Sequence, residues 1–344
     1  MLRAIELSNF RCYAHIVLEL GERGTAWVGP NASGKTSILE AIQKLTILRG
    51  FGKDEEMVRW GSSAYRLRAR VSEGIVELLY EKGKGNRLYW QGELVQPLSQ
   101  WVGRFPVVSL RPADISWIEG SAAERRRWSD KLLCQISPAY LEALSRYQRA
   151  LDQRNALLSR ADVMPAQLEL WETLLISEGI RIQKMRQELS EHFSPILAEF
   201  YTHFGGEPLE LNYKLSVEME REAWLSAWQR LRKDEQRLGR TLIGPHLEDF
   251  ILRLDGRPAR GYASEGQKKS LLIALKWAEV AHLRAKGGQP ILLLDDVGEK
   301  LDRDRLSALG RLSRLAMQTF LTDTDLQRVR DTFPEVEVVS MPLR

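Results

Sequence analysis

The sequence is poor in cysteine, with only Cys12 and Cys134 among 344 residues. Two such distant residues form neither a disulfide framework nor a zinc-ligand pattern, which excludes the protein classes built on those features. No run of about 18 uncharged apolar residues occurs, so we expect no transmembrane helix. The opening MLRAIELSNFRCYAHIVLEL carries charges throughout and lacks the apolar core of a signal peptide. We therefore expect a cytoplasmic protein.

Internal repeats and low-complexity tracts are also absent, which excludes solenoid and disordered classes. Hydrophobic residues make up 44% of the chain, enough for a sizeable core, and at this length we expect two lobes. Fifty basic residues against 46 acidic ones give a net charge of +4. This mild excess permits a nucleic-acid partner without requiring one.

The hydrophobic patterns predict an α/β fold interrupted by a helical insertion. Short strand-like runs fill residues 1–115, including a β-meander from Tyr65 to Val95. Long, charged, leucine-punctuated helices follow over residues 116–238. Strand-like segments return after Gly239. We therefore predict a head formed by residues 1–115 and 239–344, with residues 116–238 as a helical lobe.

The segment GPNASGKTS matches the phosphate-loop pattern G-x-x-x-x-G-K-[ST] between a predicted strand and a predicted helix. Backbone N–H groups of such a loop surround phosphates, and the helix N-terminus adds positive charge. Lys35 can reach the β and γ phosphates, while Thr36 offers a hydroxyl to Mg²⁺. The sequence therefore predicts ATP and Mg²⁺ as cofactors. The predicted ATP-binding residues are Gly29, Pro30, Asn31, Ala32, Ser33, Gly34, Lys35, Thr36 and Ser37.

A short apolar strand, ILLL, ends in Asp295 and Asp296. In phosphate-loop proteins a carboxylate at this place holds Mg²⁺. We predict that Asp295 joins Thr36 at the metal, and that Asp296 orients or deprotonates the attacking water. Lys35 and Asp296 are the predicted catalytic residues. The alternative is a strand that merely ends in an acidic turn.

A second candidate anion site lies at SEGQKK, ahead of a long apolar helix. Ser264 suits a helix N-cap, and Gly266 lets a ligand approach the backbone. The alternative is a simply capped helix, but lysines in a first turn oppose the helix dipole.

The order of these segments resembles an ABC-type ATPase head, a P-loop fold with a mixed sheet and a β-meander. The resemblance implies that Ser264, Gly266 and Gln267 form a signature motif. In that class the motif contacts the γ-phosphate held by a second, head-to-tail protomer. An ATP-dependent homodimer is therefore expected.

The chain more specifically resembles the RecF family of bacterial recombination-mediator ATPases. The resemblance rests on LSNFRCY, GSAAERRRWSDKLL, YQRALDQRNALL, TLIGPHLEDF, SEGQKKSLLIALKWAE, LLLDDVGEKLD and FLTDTD. It implies that Arg11 lies by the nucleotide base or ribose, Asp302 forms a loop facing the partner's site, and Thr322 senses the γ-phosphate. Each has a simpler alternative: a surface charge, a helix N-cap and a turn residue.

The resemblance also implies a function in recombinational repair and replication-fork maintenance. ATP binding would drive dimerisation on DNA at single-strand gaps, and a weak, DNA-stimulated ATPase activity would reverse it. Double-stranded and gapped or single-stranded DNA, and mediators of the RecO and RecR type, are the implied partners, with no membrane. The chain departs from the family pattern at Gly50–Lys53, Leu247 and Gly298–Lys300.

Arg125, Arg126 and Arg127 are candidate phosphate contacts for DNA because three consecutive helical residues span nearly a full turn. The alternative is a solvated helix face with intrahelical ion pairs.

Two other functions fit the sequence less well. The nucleotide-binding subunit of a membrane transporter is disfavoured by the long gap between Lys35 and Ser264. A repair-type head with a long coiled-coil arm is disfavoured because the insertion lacks sustained heptads.

Overall fold

The computed structural model describes residues 1–160, 164–296, 298 and 301–342. The chain divides into a head unit, Met1–Asp114 with Leu272–Arg344, and a second unit, Ile115–Leu271. The predicted first boundary lies one residue from this division. The predicted return to the head at residue 239 differs from the observed return at residue 272, and strand pairing in the second unit explains the difference.

The described strands are β1 (Leu2–Phe10), β2 (Tyr13–Glu19), β3 (Gly24–Val28), β4 (Ala64–Val71), β5 (Gly74–Glu81), β6 (Gly85–Trp90), β7 (Glu93–Leu94), β8 (Val107–Leu110), β9 (Leu209–Lys214), β10 (Asp249–Leu254), β11 (Arg257–Pro258), β12 (Ile291–Asp295), β13 (Gln318–Asp323) and β14 (Glu337–Ser340). The described helices are α1 (Lys35–Ile47), α2 (Asp54–Met57), α3 (Ser116–Glu119), α4 (Ala122–Ile136), α5 (Pro138–Leu158), α6 (Pro165–Tyr201), α7 (Arg221–Leu238), α8 (Ala259–Tyr262), α9 (Glu265–Ala285), α10 (Arg303–Leu315) and α11 (Leu326–Thr332).

An antiparallel sheet in the head has the order β2-β1-β4-β5-β6-β7. Its strands show the two-residue alternation expected when one face is buried. In β4, Tyr65, Leu67, Ala69 and Val71 are buried, while the intervening arginines lie on the other face. The predicted β-meander is therefore present.

The second sheet of the head is parallel, with the order β14-β3-β13-β12-β8. Strands β3, β12 and β13 are buried along their full lengths, as expected for a parallel sheet covered on both faces. Because parallel strands end at the same edge, the residues that follow β3 and β12 come close together. Asp295 and Thr322 occupy paired positions in β12 and β13.

Helix α1 connects the core of the head to the loop that precedes it. Ile38, Ile42 and Leu45 are fully or almost fully buried, as their helical spacing predicts. They belong to one apolar cluster with side chains from both sheets, and Trp27 of β3 and Phe320 of β13 are among its members from the parallel sheet. Packing on both sheets fixes the position of the α1 N-terminus, where the phosphate loop ends.

The second unit is not entirely helical, which corrects the prediction for residues 116–238. Strand β9 interrupts the helices and pairs with β10, which in turn pairs with β11. Leu209, Leu211 and Tyr213 are buried on one face of β9. This pairing holds β10 and β11 in the second unit and moves the boundary beyond residue 239.

The local helix signals of the second unit behave as expected. Ser137 is the N-cap of α5, with Pro138 at its first position, and its hydroxyl accepts a hydrogen bond from Tyr140 N at 3.1 Å. Within the described ranges, no helix combines the length and apolar character needed to cross a membrane.

Candidate functional site

The loop between β3 and α1 has the curled backbone of a phosphate cradle. Ala32 and Gly34 both have positive φ angles, 62° and 93°. A Cβ atom on Gly34 would lie 2.5 Å from Tyr13 Oη, and one on Gly29 would lie 2.5 Å from the Met341 carbonyl oxygen. Both motif glycines are therefore required by backbone shape or packing. The predicted residues 29–37 form one continuous loop and helix start.

Lys35 begins α1 and turns back over the loop. Its ammonium group donates hydrogen bonds to the carbonyl oxygens of Gly29 and Pro30, each at 2.7 Å. Both partners are neutral, so these contacts leave the positive charge uncompensated. The geometry places a cation at the loop, where an anionic ligand would require it.

Three side chains from three distant segments meet at the ends of β12 and β13. Thr36 Oγ1 and Thr322 Oγ1 each donate to Asp295 Oδ1 at 2.8 Å. The backbone N–H of Asp296 donates to Thr322 Oγ1 at 2.9 Å. The structure therefore brings the predicted metal residues together and adds the predicted sensor to the same cluster.

Asp296 occupies a left-handed backbone conformation with φ of 49°. Such a conformation in a residue other than glycine costs about 1–2 kcal/mol and persists only where the surroundings enforce it. The hydrogen bond from its N–H group to Thr322 provides part of that enforcement. The strained turn is located directly after the Asp295 carboxylate.

An ion pair that the sequence reasoning missed supports this edge. Asp323 is buried and accepts N–H groups from Thr324 and Asp325 at 2.6 and 2.9 Å, and it also pairs with Arg328. Its carbonyl oxygen accepts the N–H of Gly29 at 3.1 Å. The hydrogen bond to Asp323 is the main cause that raises the pKa of Arg328. Asp323 thus joins the end of β13 to the phosphate loop.

Arg11 forms a bidentate ion pair with Glu40 of α1, with nitrogen–oxygen distances of 2.6 and 2.8 Å. A further N–H donates to the Glu56 carbonyl oxygen at 2.7 Å. The hydrogen bonds to Glu40 are the main cause that raises the pKa of Arg11. Among the described residues, three of the five guanidinium donors are thus used, and the other two have no acceptor there.

Asp302 is the N-cap of α10. Its carboxylate accepts the N–H of Arg305 at 3.0 Å and also pairs with the Arg305 guanidinium. This geometry matches the alternative considered for Asp302 in the sequence.

The segment Ser264–Gln267, called the signature segment below, forms a reciprocal capping box at the start of α9. Ser264 N donates to Gln267 Oε1 at 2.8 Å, and Gln267 N donates to Ser264 Oγ at 3.3 Å. Lys268 pairs with Glu119 and Glu265 at 2.6 and 2.7 Å. These carboxylates balance the lysine charge that capping alone did not explain.

Comparison with known proteins supports a nucleotide site at the phosphate loop. A family profile described as an AAA ATPase domain matches residues 1–57, which include the phosphate loop. The DNA replication and repair protein RecF of Heliobacterium modesticaldum is 35% identical, over 94% of this chain and 92% of its own length. The chain belongs to the RecF family.

Solved structures give the same result. A structure described as the recombination mediator protein RecF-ATP in the RecFOR pathway has a TM-score of 0.88 at 29% identity, covering 94% of this chain and 92% of its own. An SMC head bound to a domain of ScpA has a TM-score of 0.53 at 14% identity, covering 100% and 94%, a likeness of fold alone.

This RecF-family chain is a P-loop ATPase of DNA replication and repair, and the predicted α/β P-loop class is confirmed. The transporter alternative is not favoured.

The prediction that three consecutive arginines of the RecF-family chain contact DNA phosphates requires a correction. Arg125 is buried and forms a bidentate pair with Asp249 at 2.7 and 2.9 Å. Arg126 donates to the Glu248 carbonyl oxygen at 2.6 Å, and burial lowers its pKa. Arg127 is 61% exposed and pairs with Glu124 at 3.1 Å. Arg125 is therefore a structural residue, and only Arg127 presents a largely exposed guanidinium group among the three.

The departures from the family pattern have partial structural explanations. A Cβ on Gly50 would lie 2.0 Å from Met57 Cε, and one on Gly298 would lie 2.8 Å from both Asp323 Oδ2 and Arg328 Nε. A side chain at either position would require these neighbouring side chains to move. Leu247 is 47% exposed. Glu299 and Lys300 lie outside the described residues.

Proposed function

We propose that this chain is an ATP-dependent DNA-binding protein of recombinational repair and replication-fork maintenance. ATP binding drives two chains into a head-to-tail dimer on DNA at single-strand gaps, and slow, DNA-stimulated hydrolysis releases them. The observation that carries the proposal is the meeting of Thr36, Asp295 and Thr322 beside the phosphate loop. It supplies the polar groups that ATP hydrolysis requires at one edge of one sheet.

Mg²⁺ fits the side chains present. The described residues contain no group of three or more His, Cys, Asp or Glu side chains that could hold a metal alone. Mg²⁺ at nucleotide sites instead uses one or two protein oxygens together with phosphates and water. Thr36 and Asp295 offer a hydroxyl and a carboxylate 2.8 Å apart. Bound there, Mg²⁺ would neutralise charge on the phosphates.

The remaining head residues take roles consistent with their positions. Lys35 exchanges its carbonyl partners for the β and γ phosphates. Asp296 orients or deprotonates the attacking water. Its left-handed backbone conformation sets the position from which the carboxylate side chain extends. Thr322 links Asp295 to Asp296 and so responds to the γ-phosphate. Arg11 contacts the base or ribose through the two N–H groups that Glu40 and Glu56 leave available.

The signature segment acts on the nucleotide of the second chain. Ser264 and Gly266 lie at the start of α9, where a helix attracts anions. The capping box of Ser264 and Gln267 pre-forms this surface. Asp302 faces the same composite site from its capping position before α10.

DNA and mediator proteins are the proposed partners. Solved structures of relatives are described as recombination mediators of the RecFOR pathway, which supports RecO-type and RecR-type partners here. The positive net charge supports contact with DNA phosphates, and Arg127 is the remaining candidate of its cluster. We propose a cytoplasmic location.

Gel filtration with ATP and Mg²⁺ tests the dimer. The wild type at micromolar concentration is expected to elute as a dimer with ATP and as a monomer without it. Lys35→Arg should weaken nucleotide binding. Ser264→Arg should leave ATP binding to the monomer nearly intact and abolish the dimer. A wild type that stays monomeric with ATP would contradict the gating step.

DNA binding tests the second half of the proposal. Affinity for double-stranded, single-stranded and gapped DNA should be measured at several salt concentrations, with and without ATP. ATP should strengthen binding, and the gapped substrate should be preferred. Equal affinity for all substrates in all conditions would remove gap recognition from the function.

A further inference from the structure

A glutamate distant in sequence holds the signature segment in place. Gln267 Nε2 donates to Glu207 Oε1 at 2.7 Å, across 60 residues of sequence. Glu207 lies in the loop between α6 and β9. An ionised carboxylate only accepts hydrogen bonds, so it fixes which end of the Gln267 amide carries the nitrogen. The amide oxygen is thereby directed to the N–H of Ser264.

The capping box that the Gln267 amide closes also includes the Ser264 hydroxyl, through the backbone N–H of Gln267. The Ser264 oxygen accepts the Gln267 N–H, at 3.3 Å. A hydroxyl has one hydrogen to donate, and with its oxygen accepting inside the capping box that hydrogen points to another acceptor. A phosphate oxygen reaching the start of α9 is such an acceptor.

Charge balance does not account for Glu207. Lys268, a cation at the start of α9, already pairs with Glu119 and Glu265. Glu207 Oε2 is buried, and it accepts no hydrogen bond within the described parts of the chain. A Cβ on Gly205 would lie 2.3 Å from this oxygen, so the glycine makes room for it. A buried carboxylate oxygen without a hydrogen-bond donor lowers the stability of the fold. Glu207 is therefore not explained by a contribution to stability.

We propose that Glu207 is a positioning residue of the signature segment, acting through Gln267 on Ser264. The proposal rests on the proposed function, since the segment it positions contacts the partner's nucleotide there. Glu207 touches no reacting atom in this assignment. Glu207 lies in the second unit, and the phosphate loop belongs to the head unit.

Three variants separate position from charge. Glu207→Ala removes the acceptor, Glu207→Gln keeps a carbonyl acceptor without the charge, and Glu210→Ala removes an exposed glutamate of β9 as a matched control. Sedimentation equilibrium with ATP gives the dimer dissociation constant, and titration with nucleotide gives the affinity of the monomer. Hydrogen exchange at the Ser264 amide reports the capping box directly.

Glu207→Ala is expected to weaken the ATP-dependent dimer about tenfold, the effect of losing one charge-assisted hydrogen bond. Monomer ATP affinity should stay unchanged, and exchange at Ser264 should accelerate. Glu207→Gln keeps a neutral acceptor and should fall between the wild type and Glu207→Ala, whereas Glu210→Ala should resemble the wild type. A Glu207→Ala dimer as tight as the wild type, or a Glu207→Gln dimer as weak as Glu207→Ala, would overturn the positioning role.

A failure of the proposed function gives a different result. A wild type that never dimerises with ATP contradicts the composite site itself. Exchange at Ser264 then decides the contact separately, since unchanged exchange in Glu207→Ala would show that Glu207 does not hold the segment.

Discussion

Asp295 receives both hydroxyl donors of the cluster on a single oxygen, Oδ1. One donor comes from the phosphate loop helix and the other from the neighbouring strand, so the carboxylate has a defined rotamer before any ligand arrives. Preorganisation of this kind lowers the reorganisation required during reaction. Thr322 is the residue whose loss would test this, because it also accepts the Asp296 N–H.

Thr322→Val keeps the shape of the side chain and removes both hydrogen bonds. We expect ATP affinity to change little, because the phosphate loop is intact, and the hydrolysis rate to fall about tenfold. Steady-state ATPase kinetics and nucleotide titration measure the two quantities. Thr324→Val, at an exposed position of the same segment, is the control. A rate equal to the wild type in Thr322→Val would exclude a role for this hydroxyl.

His246 is a half-buried residue whose hydrogen bonds define its tautomer. Its Nε2 lies 3.3 Å from the Thr241 carbonyl oxygen, which can only accept, so Nε2 carries the hydrogen and Nδ1 accepts from Tyr147 Oη at 2.7 Å. Burial is the main cause that lowers the pKa of His246 to about 4. The Arg126, Arg154 and Arg186 charges act in the same direction.

Stability is expected to depend on this histidine in acid. The unfolded chain binds the proton near pH 6.5, whereas the folded chain binds it only near pH 4. The contribution of His246 is therefore fully present above pH 6.5 and is lost as the pH falls towards 4, by about 3 kcal/mol. Urea unfolding at several pH values should show a shallower acid loss for His246→Gln than for the wild type. The exposed His203→Gln should keep the wild-type profile.

Local patterns were enough to propose candidate residues, because each candidate lies in a short motif. The phosphate loop, the acidic strand end and the N-cap serine are all set by neighbours within a few positions. The contacts between them were harder to foresee. Thr36 and Asp295 are 259 residues apart, and their distance depends on the order of strands in the parallel sheet. Asp323 lies in the segment FLTDTD, but the resemblance assigns a role only to Thr322 there, and Glu207 lies in no motif.

At the scale of elements, α4 shows why a run of arginines is ambiguous. Arg125, Arg126 and Arg127 point in different directions around the helix, and only burial against other elements separates them. The partner of Arg125, Asp249, lies on β10 and 124 residues away. No helical periodicity could reveal that pairing.

Substitutions of these α4 arginines should therefore affect stability to very different extents. Arg125→Ala leaves Asp249 unpaired and should lower the free energy of unfolding by about 3 kcal/mol. Arg127→Ala should change the free energy of unfolding by less than about 0.5 kcal/mol. If Arg127 contacts a DNA phosphate, the same substitution should reduce the slope of log affinity against log salt concentration by about 1. Denaturant unfolding and DNA titration at several salt concentrations measure these effects. A strongly destabilised Arg127→Ala would contradict the exposed placement.

Strand β9 is an element that its sequence could have revealed. The segment LELNYK alternates apolar and polar residues, which favours a half-buried strand over a helix. The long helical runs on either side concealed it. Its pairing with β10 then decides where the second unit ends, so one missed strand displaced a predicted boundary by about thirty residues.

At the scale of the whole molecule, the two halves of the proposed site belong to different units of one chain. The phosphate loop lies in the head unit and the signature segment in the second unit. In a symmetric head-to-tail dimer each chain contributes one half to each of two equivalent sites. Defects in the two halves should consequently complement each other between chains.

Mixing Lys35→Arg with Ser264→Arg tests that arrangement. Each variant alone should be almost inactive, because Lys35→Arg weakens nucleotide binding at both sites and Ser264→Arg does not form the dimer. A mixed dimer contains one intact site, formed by Lys35 of the Ser264→Arg chain and Ser264 of the Lys35→Arg chain. An equal mixture should recover activity up to about a quarter of the wild-type ATPase rate in the presence of DNA, the value for random pairing. Recovery should depend on protein concentration, since it requires association. Two folded variants that recover no activity in any ratio would show that the signature segment does not act on the partner's nucleotide.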